Sequence, residues 1–175
     1  MANSLGDPTA KMLGRLTLNP LKHLDPIGSV VLPLALYFIS NGTFVFGYAK
    51  PVPYNPLNLR DRRYGPAKVA MAGPLTNLAI ALLVGVVIKF LPLSFGNAHT
   101  HELLGYTVLI NLVLAVFNLM PIPPLDGHWL AITFFPRVAF LFQRFGLFLF
   151  FILILFVFPL FSPIILWLFK LITGS

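Results

Sequence analysis

The chain is 175 residues long, 58% hydrophobic and only 10% charged, with a mean hydropathy of +0.88. A soluble domain carries about 25% charged residues, so a water-borne globule is excluded, and the lack of cysteine excludes disulfides and thiolate metal sites. The net charge of +7 comes without a basic-aromatic repeat or a basic helix. That argues against a nucleic-acid partner and for Lys and Arg gathered in cytoplasmic loops beside anionic headgroups.

Residues 1–26 are polar, with turn signals at Gly6-Asp7-Pro8 and Asn19-Pro20. No basic region leads into an apolar core, so no signal peptide is expected. Residues 14–18 alternate and predict a short strand-like piece. Asp25-Pro26 then reads as an N-cap with proline at the first helical position. The apolar run over 27–39 is too short for a simple span, which needs about 20 residues. It stops at Ser40-Asn-Gly-Thr43 and resumes over 44–48. Both flanks are basic, Lys11, Arg15 and Lys22 before it and Lys50, Arg60, Arg62 and Arg63 after. A re-entrant or broken segment places both flanks in the cytoplasm better than a clean span does, with a tilted span as the alternative.

Residues 54–68 read as a basic cytoplasmic loop, and 69–91 as a transmembrane helix. Ala70, Gly73, Asn77, Ala81 and Gly85 lie three or four apart on it, a stripe that lets helix backbones approach and makes Asn77 an interhelical hydrogen-bonding residue. Pro92 and the loop 94–100 lack Lys and Arg, which suits the outer side. His101-Glu102 has no second histidine four residues on, so it predicts a hydrated helix start rather than a metal motif. Residues 103–120 form the next span. Asn111 and Asn118 are seven apart, so they share a face, and two such amides predict hydrogen bonds between helices. A loop with Arg137 and Arg144 follows. The apolar blocks 145–158 and 160–171, broken at Pro159 and Pro163, make a kinked helix or a hairpin.

Where the chain leaves that third segment it reads Asn118-Leu-Met-Pro-Ile-Pro-Pro-Leu-Asp126-Gly127-His128. Pro121, Pro123 and Pro124 break the helix, and Gly127 permits a tight turn. A carboxylate at membrane depth is costly and needs a metal, a partner or a water-filled cavity. The expectation from residues alone is an all-α polytopic membrane protein of about four transmembrane or re-entrant helical segments, one domain over residues 1–175, with Asp126 at its functional centre.

This stretch resembles the second metal-ligand motif of the site-2 protease family of intramembrane zinc metalloproteases. The stretch from Leu5-Gly-Asp-Pro through His23-Leu-Asp-Pro-Ile-Gly28 is similar to the segment that follows the catalytic helix in short members. Phe46-Gly-Tyr-Ala-Lys-Pro-Val-Pro-Tyr-Asn-Pro56 and Ala72-Gly-Pro-Leu-Thr-Asn77 match in the same order, so the resemblance covers essentially the whole chain. It implies zinc held by two histidines and one carboxylate, a glutamate base, and proteolysis of transmembrane substrates near the cytoplasmic face of the cell membrane. Asp126 maps onto the carboxylate ligand, and Asn118 onto the contact to substrate or the developing oxyanion. The His-Glu-x-x-His helix that should precede Leu5 occurs nowhere in the chain. The expectation is a clipped enzyme, inactive alone, in preference to a natural pseudoprotease. His128, beside Asp126, is a weaker candidate ligand. Two alternatives stay open: a non-catalytic protein that binds transmembrane helices or partners another protease, and a small transporter with Asp126 as its ion carrier.

Overall fold

The structure is a computed structural model of the whole chain. It describes all residues except 18, 46, 51, 91–97, 124 and 175, and the side chains except those of 98, 138, 139, 141–143, 147, 150, 153, 154 and 158. The protein is an all-α polytopic membrane protein. Its helices are α1 (Thr9–Met12), α2 (Leu32–Ile39), α3 (Gly65–Phe90), α4 (Ala98–Asn118), α5 (Gly127–Phe134), α6 (Pro136–Ile152) and α7 (Ser162–Thr173). Among the described residues, three segments are long and apolar enough to cross a membrane: Gly65–Phe90, His99–Asn118 and Leu155–Thr173. The chain divides into two compact units, Met1–Arg62 and Arg63–Ser175.

In the amino-terminal unit, the Asx-Pro pairs at Asn19, Asp25 and Asn55 start helical turns. Asn19 accepts from the Leu21 amide at 3.0 Å and Asn55 from the Leu57 amide at 3.0 Å. Asp25 accepts from Ile27 at 3.1 Å and Gly28 at 2.7 Å, the N-cap expected from sequence. The expected strand-like piece at 14–18 does not form. Gly14 turns the chain with φ +65, residues 15–17 are irregular, and Leu18 lies outside the described residues. No strand edge is present among the described residues to pair with them.

Asp7 looked like a turn residue; it is instead the fully buried anchor of this unit. Its carboxylate accepts from the Thr9 amide (3.1 Å) and hydroxyl, the Asn55 amide (2.7 Å) and the Asn58 side-chain amide (3.0 Å), while the Arg60 amide donates to Leu5 at 3.0 Å. Burial alone pushes this carboxyl up, but the hydrogen bonds outweigh it and hold the pKa at about 2, below the ordinary 3.8. A depressed folded pKa stabilises above the unfolded value and is lost as pH falls through the folded one. Amide-exchange protection of Asn55 should therefore hold above pH 3.8 and drop as pH falls toward 2. Asp7→Asn should show weaker protection at neutral pH and no acid step; an unchanged step in that variant would show that Asp7 is not the group responsible.

The apolar segment of this unit forms a hairpin. A π-helical stretch, Pro26–Val31, runs into α2, and the chain turns over at Asn41 (φ 53) and Gly42 (φ 78). Residues 47–50 lie back against the start of the hairpin. Tyr48 N–H donates to the Gly28 carbonyl at 2.9 Å and Lys50 N–H to the His23 carbonyl at 3.0 Å. Close approach is possible because Gly28 and Gly47 lack side chains: a Cβ on Gly28 would stand 2.4 Å from the Tyr48 ring, and one on Gly47 2.7 Å from Pro33.

In the carboxy-terminal unit, α3, α4 and α7 pack around Ala81, Val108, Leu112 and Ile165. In lipid such packing relies on small residues and close backbones. Gly85 of α3 faces Ile172 of α7, and Gly105 of α4 faces Phe169. Phe161, at the start of α7, packs with Met120 and Ile122 beyond the end of α4. Hence α7 runs antiparallel to α4 and parallel to α3. The stripe expected on α3 is real in part, with Ala70, Ala81 and Gly85 buried. Large side chains elsewhere, such as Leu83, Phe148 and Trp167, face outward as a lipid-solvated surface requires.

Several boundaries differ from the sequence reading. Helix α3 starts at Gly65 rather than residue 69, because Pro66 suits a first helical turn; Leu91, Pro92 and most of the expected loop lie outside the described residues. Helix α4 starts at Ala98 and ends at Asn118. Glu102 thus sits past the first turn, where it accepts from Tyr106 Oη at 3.2 Å and lies 3.8 Å from His99 Nδ1. The stretch with Arg137 and Arg144 is helical, not a loop. The last block is a kinked series: α6, with non-helical φ/ψ at Phe145, then single turns over Leu153–Val157 and Phe158–Phe161, then α7.

Candidate functional site

The site is a turn that closes on itself. Beyond Asn118 the helical ladder frays: Leu119 N–H reaches both Ala115 (3.3 Å) and Val116 (3.2 Å), and Met120 N–H reaches Phe117 at 3.1 Å. Pro121 and Pro123 have no N–H to continue it; Pro124 lies outside the described residues. Ile122 bonds to Met120 at 2.9 Å and Leu125 to Ile122 at 2.9 Å, giving a chain of tight local turns. Met120, Ile122 and Leu125 are buried together and pin the loop to the helices. Gly127 then passes directly over the start of the turn. A Cβ there would lie 2.2 Å from the Leu119 carbonyl oxygen and 2.4 Å from that of Met120. Residues 118 and 126 therefore each stand one residue from the same backbone crossing.

Asp126 precedes α5, where an aspartate ordinarily caps the helix with its side chain. It does not do so here: its backbone is itself helical and it makes no side-chain cap bond. Its carboxylate is turned toward α3 instead, with Oδ2 2.7 Å from where a Cβ of Gly73 would be. No described residue donates a hydrogen bond to it. Burial raises its pKa above the ordinary carboxylate range. Gly73, which the sequence reading assigned to helix packing, is thus the residue that makes room for Asp126. The Asn118 amide likewise makes no hydrogen bond to a described residue. Two apolar clefts flank the turn and share Leu119 and Pro121 in their walls; one extends to Val157, Phe161 and Ile164, the other to Leu130, Phe134 and Phe135.

The other polar candidates fall away. His128 Nε2 is buried without a partner among the described residues, burial lowers its pKa, and its ring meets Trp129 edge-on. Because Asp126 and Gly127 are helical, residues 126 and 128 point to different sides and do not converge. Asn111 donates to Thr107 of its own helix at 2.8 Å rather than across helices. Asn77 makes no hydrogen bond to a described residue. Zinc needs three or four ligands with set geometry. Among the described residues no three His, Cys, Asp or Glu side chains gather to hold a metal, so the residues present do not fit zinc by themselves.

The family model described as Peptidase family M50 matches residues 93–160, which contain the whole turn and Asp126. The chain is 37% identical over 135 residues to YwhC of Bacillus subtilis (strain 168), whose name marks it as a candidate zinc metalloprotease; the match covers 73% of this chain and 57% of YwhC. It is 33% identical over 126 residues to Rip2 of Mycolicibacterium smegmatis, named in the same way, covering 70% of this chain and 45% of Rip2. A shorter match of 62 residues, at 45% identity, covers 35% of this chain and 30% of MJ0611 of Methanocaldococcus jannaschii, also named as a candidate zinc metalloprotease. The chain thus spans about half the length of the curated relatives it matches. No solved structure matches it.

Proposed function

The chain belongs to the site-2 protease family, peptidase family M50, and from that premise we propose that it supplies the carboxylate part of a zinc-dependent protease that cuts transmembrane proteins or peptides near the cytoplasmic face of the cell membrane. Asp126 is the metal ligand of this part. Asn118 is the side-chain amide that contacts the substrate or its developing oxyanion, a role amides can fill because they donate to such charge. The observation that carries the reading is the Asp126 carboxylate. It is relieved of helix capping, without a donor among the described residues, and held against Gly73 of α3, which has no side chain to block it. The apolar clefts beside it suit an apolar substrate segment.

The residues present do not complete a zinc site, so no chemical step is assigned through the metal. The chain alone is inactive on this reading, since it holds neither a His-Glu-x-x-His pair nor the glutamate base. Purified chain with added zinc should show no metal-dependent cleavage of a transmembrane substrate. The same chain extended at its amino terminus by a His-Glu-x-x-His helix should gain cleavage that Asp126→Asn abolishes. Cleavage by the unextended chain that is lost in Asp126→Ala would overturn the claim of incompleteness. An extended, active chain indifferent to Asp126→Asn would overturn the ligand assignment. A second reading, a non-catalytic protein that binds transmembrane helices, rests on the absent His-Glu-x-x-His; an extended chain that still captures a transmembrane peptide but never cleaves it would favour that reading.

A further inference from the structure

The hairpin in the amino-terminal unit is not used by the protease reading and stands apart from it. Its two legs meet at the base: Ser29 Oγ donates to the Tyr48 carbonyl at 2.9 Å, beside the Tyr48–Gly28 and Lys50–His23 backbone bonds. Its two ends are therefore on one level, which a single crossing of the membrane does not allow. Its helical leg, six π-helical and eight α-helical residues, rises no more than about 20 Å at ~1.5 Å per residue. A hydrocarbon core is about 30 Å thick, so the tip stops inside it.

The tip is built for that depth. Irregular backbone survives in hydrocarbon only where its polar groups are satisfied. Five consecutive amides are satisfied locally. Ser40 N–H donates to Leu36, Asn41 to Phe38, Gly42 to Tyr37 and Thr43 to Ser40, and Phe44 N–H donates to Ser40 Oγ at 2.9 Å. The two hydroxyls are also used, Ser40 Oγ on the Phe44 carbonyl (3.0 Å) and Thr43 Oγ1 on the Ser40 carbonyl (2.6 Å). The helical leg presents large apolar side chains to its surroundings, with Ile27 65%, Phe38 73% and Ile39 79% exposed. The base is cationic. Lys22 and Lys50 are exposed there and Arg15 donates to the Lys22 carbonyl, while the Asp25 carboxylate is spent on the first amides of the helix. A cationic collar under an apolar finger complements a leaflet with anionic headgroups and acyl chains.

We propose that residues 26–45 and 47–50 are the described parts of a re-entrant hairpin that enters and leaves a single leaflet from one face, its helical leg solvated by acyl chains. The absence of native cysteine makes the test direct. Single variants Lys22→Cys, Lys50→Cys, Phe38→Cys and Leu34→Cys of the full chain are placed in right-side-out and inverted membrane vesicles and exposed to a membrane-impermeant maleimide. Positions 22 and 50 should react from the same face. Positions 34 and 38 should react from neither, and a bimane on either, attached before reconstitution, should be quenched by doxyl groups on lipid acyl chains. Reaction of 22 and 50 from opposite faces would make the segment a single span. Reaction of 38 from the face opposite to 22 would make it two crossings. Equal reaction of 22, 34 and 38 from one face would place the hairpin outside the bilayer. Any of these three results overturns the proposal, and the two independent leg positions guard against one variant that misfolds.

Discussion

Gly127→Ala is expected to destabilise the carboxy-terminal unit by about 1–3 kcal/mol, the usual range for forcing a methyl into a packed site. The added Cβ meets backbone, not a movable side chain: the Leu119 carbonyl at 2.2 and 2.4 Å and the Met120 oxygen at 2.4 Å. Neither atom can yield without opening the turn that Met120, Ile122 and Leu125 pin. With roughly 2–4 °C of melting temperature per kcal/mol for a chain of this size, the shift should be several degrees in detergent micelles. Amide exchange should rise at residues 119–127 before it rises in α3. An alanine variant that melts with the wild type would show that the crossing of 127 over 119 is not as close as described.

Gly73→Ala should act on the site and spare the fold. Its Cβ meets only the Asp126 carboxyl group, Oδ2 at 2.7 Å, the far end of a side chain that must swing away by roughly 0.7 Å to reach ordinary contact at 3.4 Å. The melting temperature should hardly move. A displaced catalytic group costs far more than the same displacement in a core, on the order of tenfold to a hundredfold in rate for shifts approaching 1 Å. In the chain completed by a His-Glu-x-x-His helix, turnover should fall by that order. Full turnover in Gly73→Ala would show that Asp126 tolerates movement and that the glycine serves helix packing instead. The two glycines thus make a paired test, one against backbone and one against a carboxylate.

Run length and Asx-Pro punctuation make much of the fold legible in the sequence. The spans within 69–91 and 103–120 follow from unbroken apolar stretches, and the Asp25 cap follows from an aspartate placed before a proline. Periodicity failed where long-range partners decide. The alternation at 14–18 had no neighbouring edge to pair with among the described residues. Arg137 and Arg144 looked like a loop because charge was weighed above helical continuity; they are seven apart and share a helix face. At the site, Asp126 stood out through its cost in a membrane. The role of Gly73 did not, because glycine in an apolar helix reads as packing whatever lies opposite it. Asp7 was hidden for a similar reason: its partners at 55 and 58 come from the far end of its unit.

The parallel course of α3 and α7 bears on how the chain is threaded during insertion. Asp126 lies by Gly73, in the first third of α3, whereas Gly174 comes to rest against Lys89, in the last turn of that helix. The carboxyl end of α7 and the carboxylate of Asp126 therefore sit toward opposite membrane faces. Lys89 and Lys170, each in the last turn of its helix, must both be translocated if the basic loop before α3 stays in the cytoplasm, their aliphatic stems lying along the apolar surface with the charge in water. A phosphatase reporter fused after residue 175 would then be active only in the compartment that Asp126 does not face.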